Sequence, residues 1–331
     1  MDFRRSIWYN VPASAGSPGG NYRTRSRTPP DLPRRSAGAG RLRPLPDLEG
    51  VPMIKITTDS TCDLPARLLQ EYGVTVFPLG IVKAGKLYHD GVDIRTADIA
   101  AHVEAGGEIT TTNAVNAADY EDAFRALTEK YDAVIHINIG SGFSCCHQNA
   151  KLAAEEVPEV YVVDSGNLTV GHGMMVLAAA DAARAGKSVT EILNLLEGMV
   201  PRLETSFVLD RLDYMKKGGR CSAVTALGAN LLKLHPCVEV IDGKMSVTKK
   251  YRGGIAKVVA DYVGERLRDR TDLDFSRVFL VDTCPGDELA GIAREIIKKD
   301  GRFGEILEAK AGCTIFCHCG PNTLGLVLLR K

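Results

Sequence analysis

This chain has no net charge at neutral pH, since 41 Lys and Arg balance 41 Asp and Glu. That balance argues against nucleic acid as its main partner, because such binding rests on a surplus of cations. Long apolar runs are missing too. The longest, Gly173 to Ala183, is broken by Asp181 and falls short of the ~20 residues that span a bilayer. No Walker A sequence occurs. Gly140-x-Gly142-x-x-Cys145 lacks the third glycine of a dinucleotide fingerprint. No nucleotide cofactor is therefore expected of this chain. The nine cysteines are odd in number and lack framework spacing. With no export signal in view, the expected location is a reducing cytoplasm.

What is scarce is also unevenly spread. Residues 1–52 hold nine Arg, no Lys and four acids, and so carry +5, while the remainder carries −5. The same segment contains eight of the 15 prolines and the one tryptophan, Trp8. Arg, Ser, Pro and Gly in these proportions cannot build a core. Residues 1–52 are expected to be a disordered extension, dispensable for fold and binding, with Met53 as the natural start. A functional tail and a targeting segment stay open as alternatives.

From Met53 onward, strand and helix patterns alternate. Ile54 to Asp59 reads as a strand that runs into a hydroxyl-rich turn, with Asp63 placed to cap the next helix and Pro65 near its first turn. Asn116, followed by Asp119, begins a helix whose Tyr120, Phe124, Leu127 and Tyr131 share one face. Ala133 to Ile139 and Val160 to Val163 read as further strands, with a helix from Gly142 to Ala154 between them. Such a series predicts a parallel sheet covered on both sides. Leu168 to Ala185 and Ser188 to Met199 read as helices. Cys237–Ile241 and Lys244–Thr248 flank Asp242-Gly243 as a hairpin. Cys313–Phe316 and Leu324–Leu329 read as strands around a Gly-Pro loop. The expected fold class is α/β in two domains. A parallel α/β/α domain takes 53–166, a second domain with a mixed sheet takes 167–331, and a ligand lies between them.

The chemistry-bearing groups sit at strand ends, where open α/β sheets bind ligands. Ser60 and Thr61 occupy the first such turn. Thr110-Thr111-Thr112 and Gly140-Ser141-Gly142-Phe143-Ser144 supply more hydroxyls. Cys313 and Cys317-His318-Cys319 form a dense group, but their spacing is not the usual zinc pattern, and buried cysteines beside a histidine are the favoured reading. Cys145-Cys146 after Ser144 raises the alternative of a thiol nucleophile. Ser144 near His147 raises that of a serine hydrolase, without a G-x-S-x-G elbow. Tyr214-Met215-Lys216-Lys217-Gly218-Gly219-Arg220 reads either as a helix end with a glycine cap or as a binding surface.

Four blocks in order resemble the DegV family of bacterial fatty-acid-binding proteins. They are Thr57–Pro65, Tyr214–Arg220, Leu231-Leu232-Lys233-Leu234-His235-Pro236, and His318-x-Gly320-Pro321-x-Thr323, and they span 53–331. The resemblance implies a two-domain α/β protein burying one long-chain fatty acid between its domains, with the carboxylate near the surface. It also implies a partner, a separate ATP-binding fatty acid kinase subunit that phosphorylates that carboxylate in phospholipid metabolism. The family's head-group positions fall on Thr112 with Asn113, on Ser144, and on His318. Cys145, Cys146 and His147 depart from the family's usual turn. Arg220, flanked by Lys216 and Lys217, resembles the residue associated with the kinase partner. On this reading the protein carries lipid, is not itself an enzyme, and needs neither metal nor cofactor. A metal- or thiol-dependent enzyme and a DAK-like kinase subunit for a small ketone stay open.

Overall fold

The computed structural model describes residues 8–10, 52–222 and 234–331. Most of the expected 1–52 extension, and Leu231–Lys233 of the third block, lie outside the described residues. Along the chain, β1 (Tyr9–Asn10) is followed by β2 (Ile54–Asp59), α1 (Ala66–Tyr72), β3 (Thr75–Phe77), β4 (Gly80–Lys83) and β5 (Lys86–His89). Then come α2 (Thr96–Glu104), β6 (Thr111–Asn113), α3 (Ala117–Thr128), β7 (Ala133–Asn138), α4 (Cys146–Glu155) and β8 (Val160–Asp164). The second half carries α5 (Thr169–Arg184), α6 (Val189–Met199), β9 (Leu203–Val208), α7 (Asp213–Gly218), β10 (Leu234–Ile241) and β11 (Lys244–Arg252). It closes with α8 (Ile255–Leu267), β12 (Arg277–Asp282), α9 (Glu288–Asp300), β13 (Glu305–Lys310), α10 (Cys313–Cys319) and β14 (Leu324–Leu329).

The expected architecture forms: α/β, with a parallel sheet and a separate mixed one. In the first sheet, β3, β2, β7 and β8 run parallel, and β1 joins antiparallel at the β3 edge. The second sheet has the order β11-β10-β9-β14-β12-β13, in which only β12 and β13 pair in parallel. Local signals set several of its elements. Asn116 accepts a hydrogen bond from the Asp119 N–H and starts α3, which buries Tyr120, Phe124 and Leu127. Ser188 starts α6 through a reciprocal pair with Glu191. Asp242 and Gly243 both take positive φ, as the tight turn between β10 and β11 requires. Helix α5 packs against strands of both sheets and explains the Gly and Ala in its sequence.

Three local expectations are corrected. Cys313–Cys319 is a helix, not a strand, because its first N–H groups meet carboxylates from the other half of the chain. Asp63 does not cap α1, whose N-cap position is Pro65; it sits in the left-handed region and sends its carboxylate to Gly312 and Thr169. A third sheet, β5-β4-β6, antiparallel throughout, interrupts the expected β/α alternation. Its strands are too short to show an alternating pattern. It matters because β6 carries Thr112.

Candidate functional site

Between the two domains lies a cavity of about 720 Å³. Phe77, Ile139 and Phe143 face it from the first domain; Phe207, Met215 and Met245 face it from the second. That size and apolar wall suit a small hydrophobic ligand held by few polar groups.

The polar end is built by β6, α7 and α10. Thr112 Oγ1 lies 3.0 Å from His318 Nε2, joining the short sheet to the last turn of α10. The start of α10 is held from the first domain. Asp90 Oδ1 and Oδ2 accept the N–H groups of Cys313 and Thr314 at 2.8 and 3.0 Å, and Asp63 Oδ1 accepts that of Gly312 at 2.8 Å. These acceptors fill donors that a helix start leaves open, and they lock the helix that carries the histidine. Asp63 also accepts from the Thr169 hydroxyl at 2.6 Å; burial nonetheless raises its pKa. His318 Nδ1 is buried without a partner in the protein and faces Gly218, where any Cβ would collide with it.

Burial and, secondarily, the nearby Arg220 lower the His318 pKa from 6.5 to about 4, so the ring is neutral at pH 7. A neutral ring can offer one N–H without placing a full charge beside a ligand carboxylate. The unfolded chain protonates this side chain near 6.5 and the folded one near 4. Its contribution to stability is therefore complete above the first value and is lost as pH falls toward the second. Lowering the pH from 7 to 4.5 should destabilise the wild type relative to His318→Gln by about 2 kcal/mol. Urea unfolding of both chains at the two pH values measures it. Equal slopes would mean that His318 titrates normally.

The structure brings together Thr112, Asn113, Ser144 and His318, all of which line the cavity. Ser144 Oγ also accepts the Cys146 N–H at 3.2 Å, so it helps start α4. Ser60 and Thr61 are not brought in. Ser60 Oγ donates to Asp90 and accepts the Leu79 N–H, while both the N–H and the hydroxyl of Thr61 donate to Asp59. Their hydroxyls organise the turn beneath the site, which corrects their expected place at the head group. Arg220, expected to face a partner and not the ligand, is exposed yet lines the cavity, with Nη1 donating to the Gly218 carbonyl at 2.8 Å. Lys216 and Lys217 lie outside the lining; Lys217 reaches Glu108 at 4.0 Å on the surface.

One residue escaped the sequence reading. Thr314 lines the cavity, and its hydroxyl is buried without a protein partner. Its signal was the four-residue spacing to His318, legible only if the segment is taken as a helix.

The competing chemistries find little support. Burial pushes the Cys146, Cys317 and Cys319 thiols up to about 12, away from reactive thiolates. The Ser144 hydroxyl meets Cys146 Sγ at 3.2 Å, which is not the activation a serine nucleophile needs. Among the described residues, no group of three or more His, Cys, Asp or Glu side chains is placed to hold a metal. Nor is any helix among them long and apolar enough to cross a membrane.

A family model described as an uncharacterised protein of the DegV family matches residues 53–331. A DegV domain-containing protein of Caldanaerobacter subterraneus subsp. tengcongensis is 33% identical over 284 residues, covering 84% of this chain and 99% of its own. One from Deinococcus radiodurans is 33% identical over 276 residues, covering 83% and 98%. The solved structure of a DegV family protein from Thermus thermophilus, described by its fatty acid binding, is 28% identical. It superposes with a TM-score of 0.78 over 84% of this chain and 100% of that one.

Proposed function

Because this chain belongs to the DegV family, we propose that it binds one long-chain fatty acid in the interdomain cavity, with the carboxylate at Thr112, Ser144 and His318. The observation that carries this reading is the polarity of the cavity. Its walls are apolar from both domains, while Thr112 and His318 stand 3.0 Å apart at one end. A carboxylate taken out of water needs donors, and leaving one of its oxygens unpaired costs about 1–3 kcal/mol or more. The Thr112–His318 pair leaves one of its two donors for the ligand, Ser144 can turn its hydroxyl from Cys146 Sγ to supply another, and Thr314 adds a hydroxyl without a protein partner. About 720 Å³ of mostly apolar space exceeds what a small ketone fills, which sets this reading above a DAK-like one. Mass spectrometry of lipid extracted from the purified protein tests it. The expected result is one fatty acid per chain. Apo protein alone, with no melting shift on adding fatty acids, would sink the proposal.

The finer reading makes the chain the substrate-carrying subunit of a cytoplasmic fatty acid kinase. A partner subunit supplies ATP, a carboxylate oxygen attacks the γ-phosphorus, and ADP leaves. Arg220 supports it, being exposed at the cavity edge, where a guanidinium can meet a phosphoryl group bidentately. Lys216 and Lys217 on α7 would steer an acidic or nucleotide-loaded partner toward it. Arg220→Ala should then lower acyl-phosphate formation about tenfold. A mutant that loses its lipid instead would make Arg220 a holder of the head group.

Ser144→Ala separates two roles of one hydroxyl. As a head-group donor its loss should weaken binding by about 1–3 kcal/mol. As a helix-start acceptor alone, it would lower stability by about 1 kcal/mol and spare affinity. Calorimetry and melting on the same mutant decide between them.

A further inference from the structure

Trp8 is the one tryptophan of the chain and lies outside residues 53–331, the segment matched by the family. Just after it, Tyr9 and Asn10 pair antiparallel with Val76 and Thr75 of β3. Continued by one residue, that register brings Trp8 to the level of Phe77, and both rings line the cavity. Trp8 is half-buried and packs against the larger of the core clusters. The cavity lining also includes Asp119, Asp122 and Ala126, spaced three and four residues apart on α3 and so on one helix face. An indole on the sheet edge adds apolar wall to a cavity whose lining also carries these two carboxylates. Phe77, at the level of the indole, is 2% exposed and apolar, so the ligand portion suited to this stretch is hydrocarbon. An added edge strand is a known way for an extended segment to hold itself on a sheet.

Resting on the fatty-acid reading above, we propose that Trp8 is a wall of the acyl site, contributed from outside the shared family segment, that touches the bound chain and slows its release. The expectation that residues 1–52 are dispensable for binding then fails at this residue. Tryptophan emission in this protein reports Trp8 alone, which makes the test direct. Dibromostearic acid is titrated into the full chain while native mass spectrometry follows occupancy. The expected result is quenching that saturates with occupancy and is absent with plain stearic acid. In stopped flow, Trp8→Ala should release stearic acid about fourfold faster, the factor for re-exposing one methylene, and Trp8→Phe should restore slow release. Full occupancy with unchanged emission, and equal release from Trp8→Ala, overturns the inference and leaves the fatty-acid reading standing. No occupancy by either acid overturns both.

Discussion

Affinity for saturated fatty acids should rise about fourfold with each added methylene, since burying one contributes about 0.8 kcal/mol. Between a 14-carbon and an 18-carbon acid the expected gain is thus about 200-fold, the largest effect on affinity anticipated for this protein. The cavity carries that expectation. Phe77, Ile139, Phe143, Phe207, Met215 and Met245 give it apolar wall from both domains, while Thr112 and His318 meet where β6 reaches α10. On the proposed reading the head group would fix orientation and the chain would supply most of the binding free energy. The rise should stop once the acyl chain outgrows about 720 Å³. Calorimetry across the series is the measurement. A flat dependence would mean that the hydrocarbon stays in water, and would sink the interdomain site however well the carboxylate is held.

Asp90→Ala should be the most damaging single substitution near the site. Asp90 is 2% exposed, and its two oxygens accept the Cys313 and Thr314 N–H groups and the Ser60 hydroxyl. Removing it leaves three buried or half-buried donors without an acceptor, at about 1–3 kcal/mol each where water cannot enter. A loss of about 3–5 kcal/mol in urea unfolding is expected. The site should suffer with it, because α10 places His318 against Thr112. Asp90→Asn, which keeps one acceptor, should lose less on both counts. If Asp90→Ala unfolds within about 1 kcal/mol of wild type, the helix is held mainly by its apolar packing.

Much of the fold was legible because short-range signals agree with the tertiary result. The Asn116 and Ser188 caps, the Asp242-Gly243 turn and the strand patterns of β2, β7 and β8 each act within a few residues. The elements that misled are those whose partners are far away in the chain. Cys313–Cys319 is buried at every residue but His318, and periodicity does not separate a buried strand from a buried helix. What makes it a helix is Asp63 and Asp90, more than 220 residues earlier. The same distance hid Thr314. Asp63 looked like a cap for the helix beside it, and the fold uses it elsewhere.

The sequence alone determined the α/β class, the neutral surface and the absence of a phosphate-cradling loop. Through four ordered blocks it also determined the family, and it offered Thr112, Ser144 and His318 as candidates. Only the tertiary structure decided which of these share a cavity. It joined Thr112 to His318, committed Ser60 and Thr61 to buried carboxylates, and set Arg220 at the edge of the cavity. It also placed Trp8 on the cavity wall. The physical reason is range. Caps, turns and periodicity are encoded within one or two turns of chain, whereas a binding site is an agreement between surfaces that meet only when the domains close on a shared core.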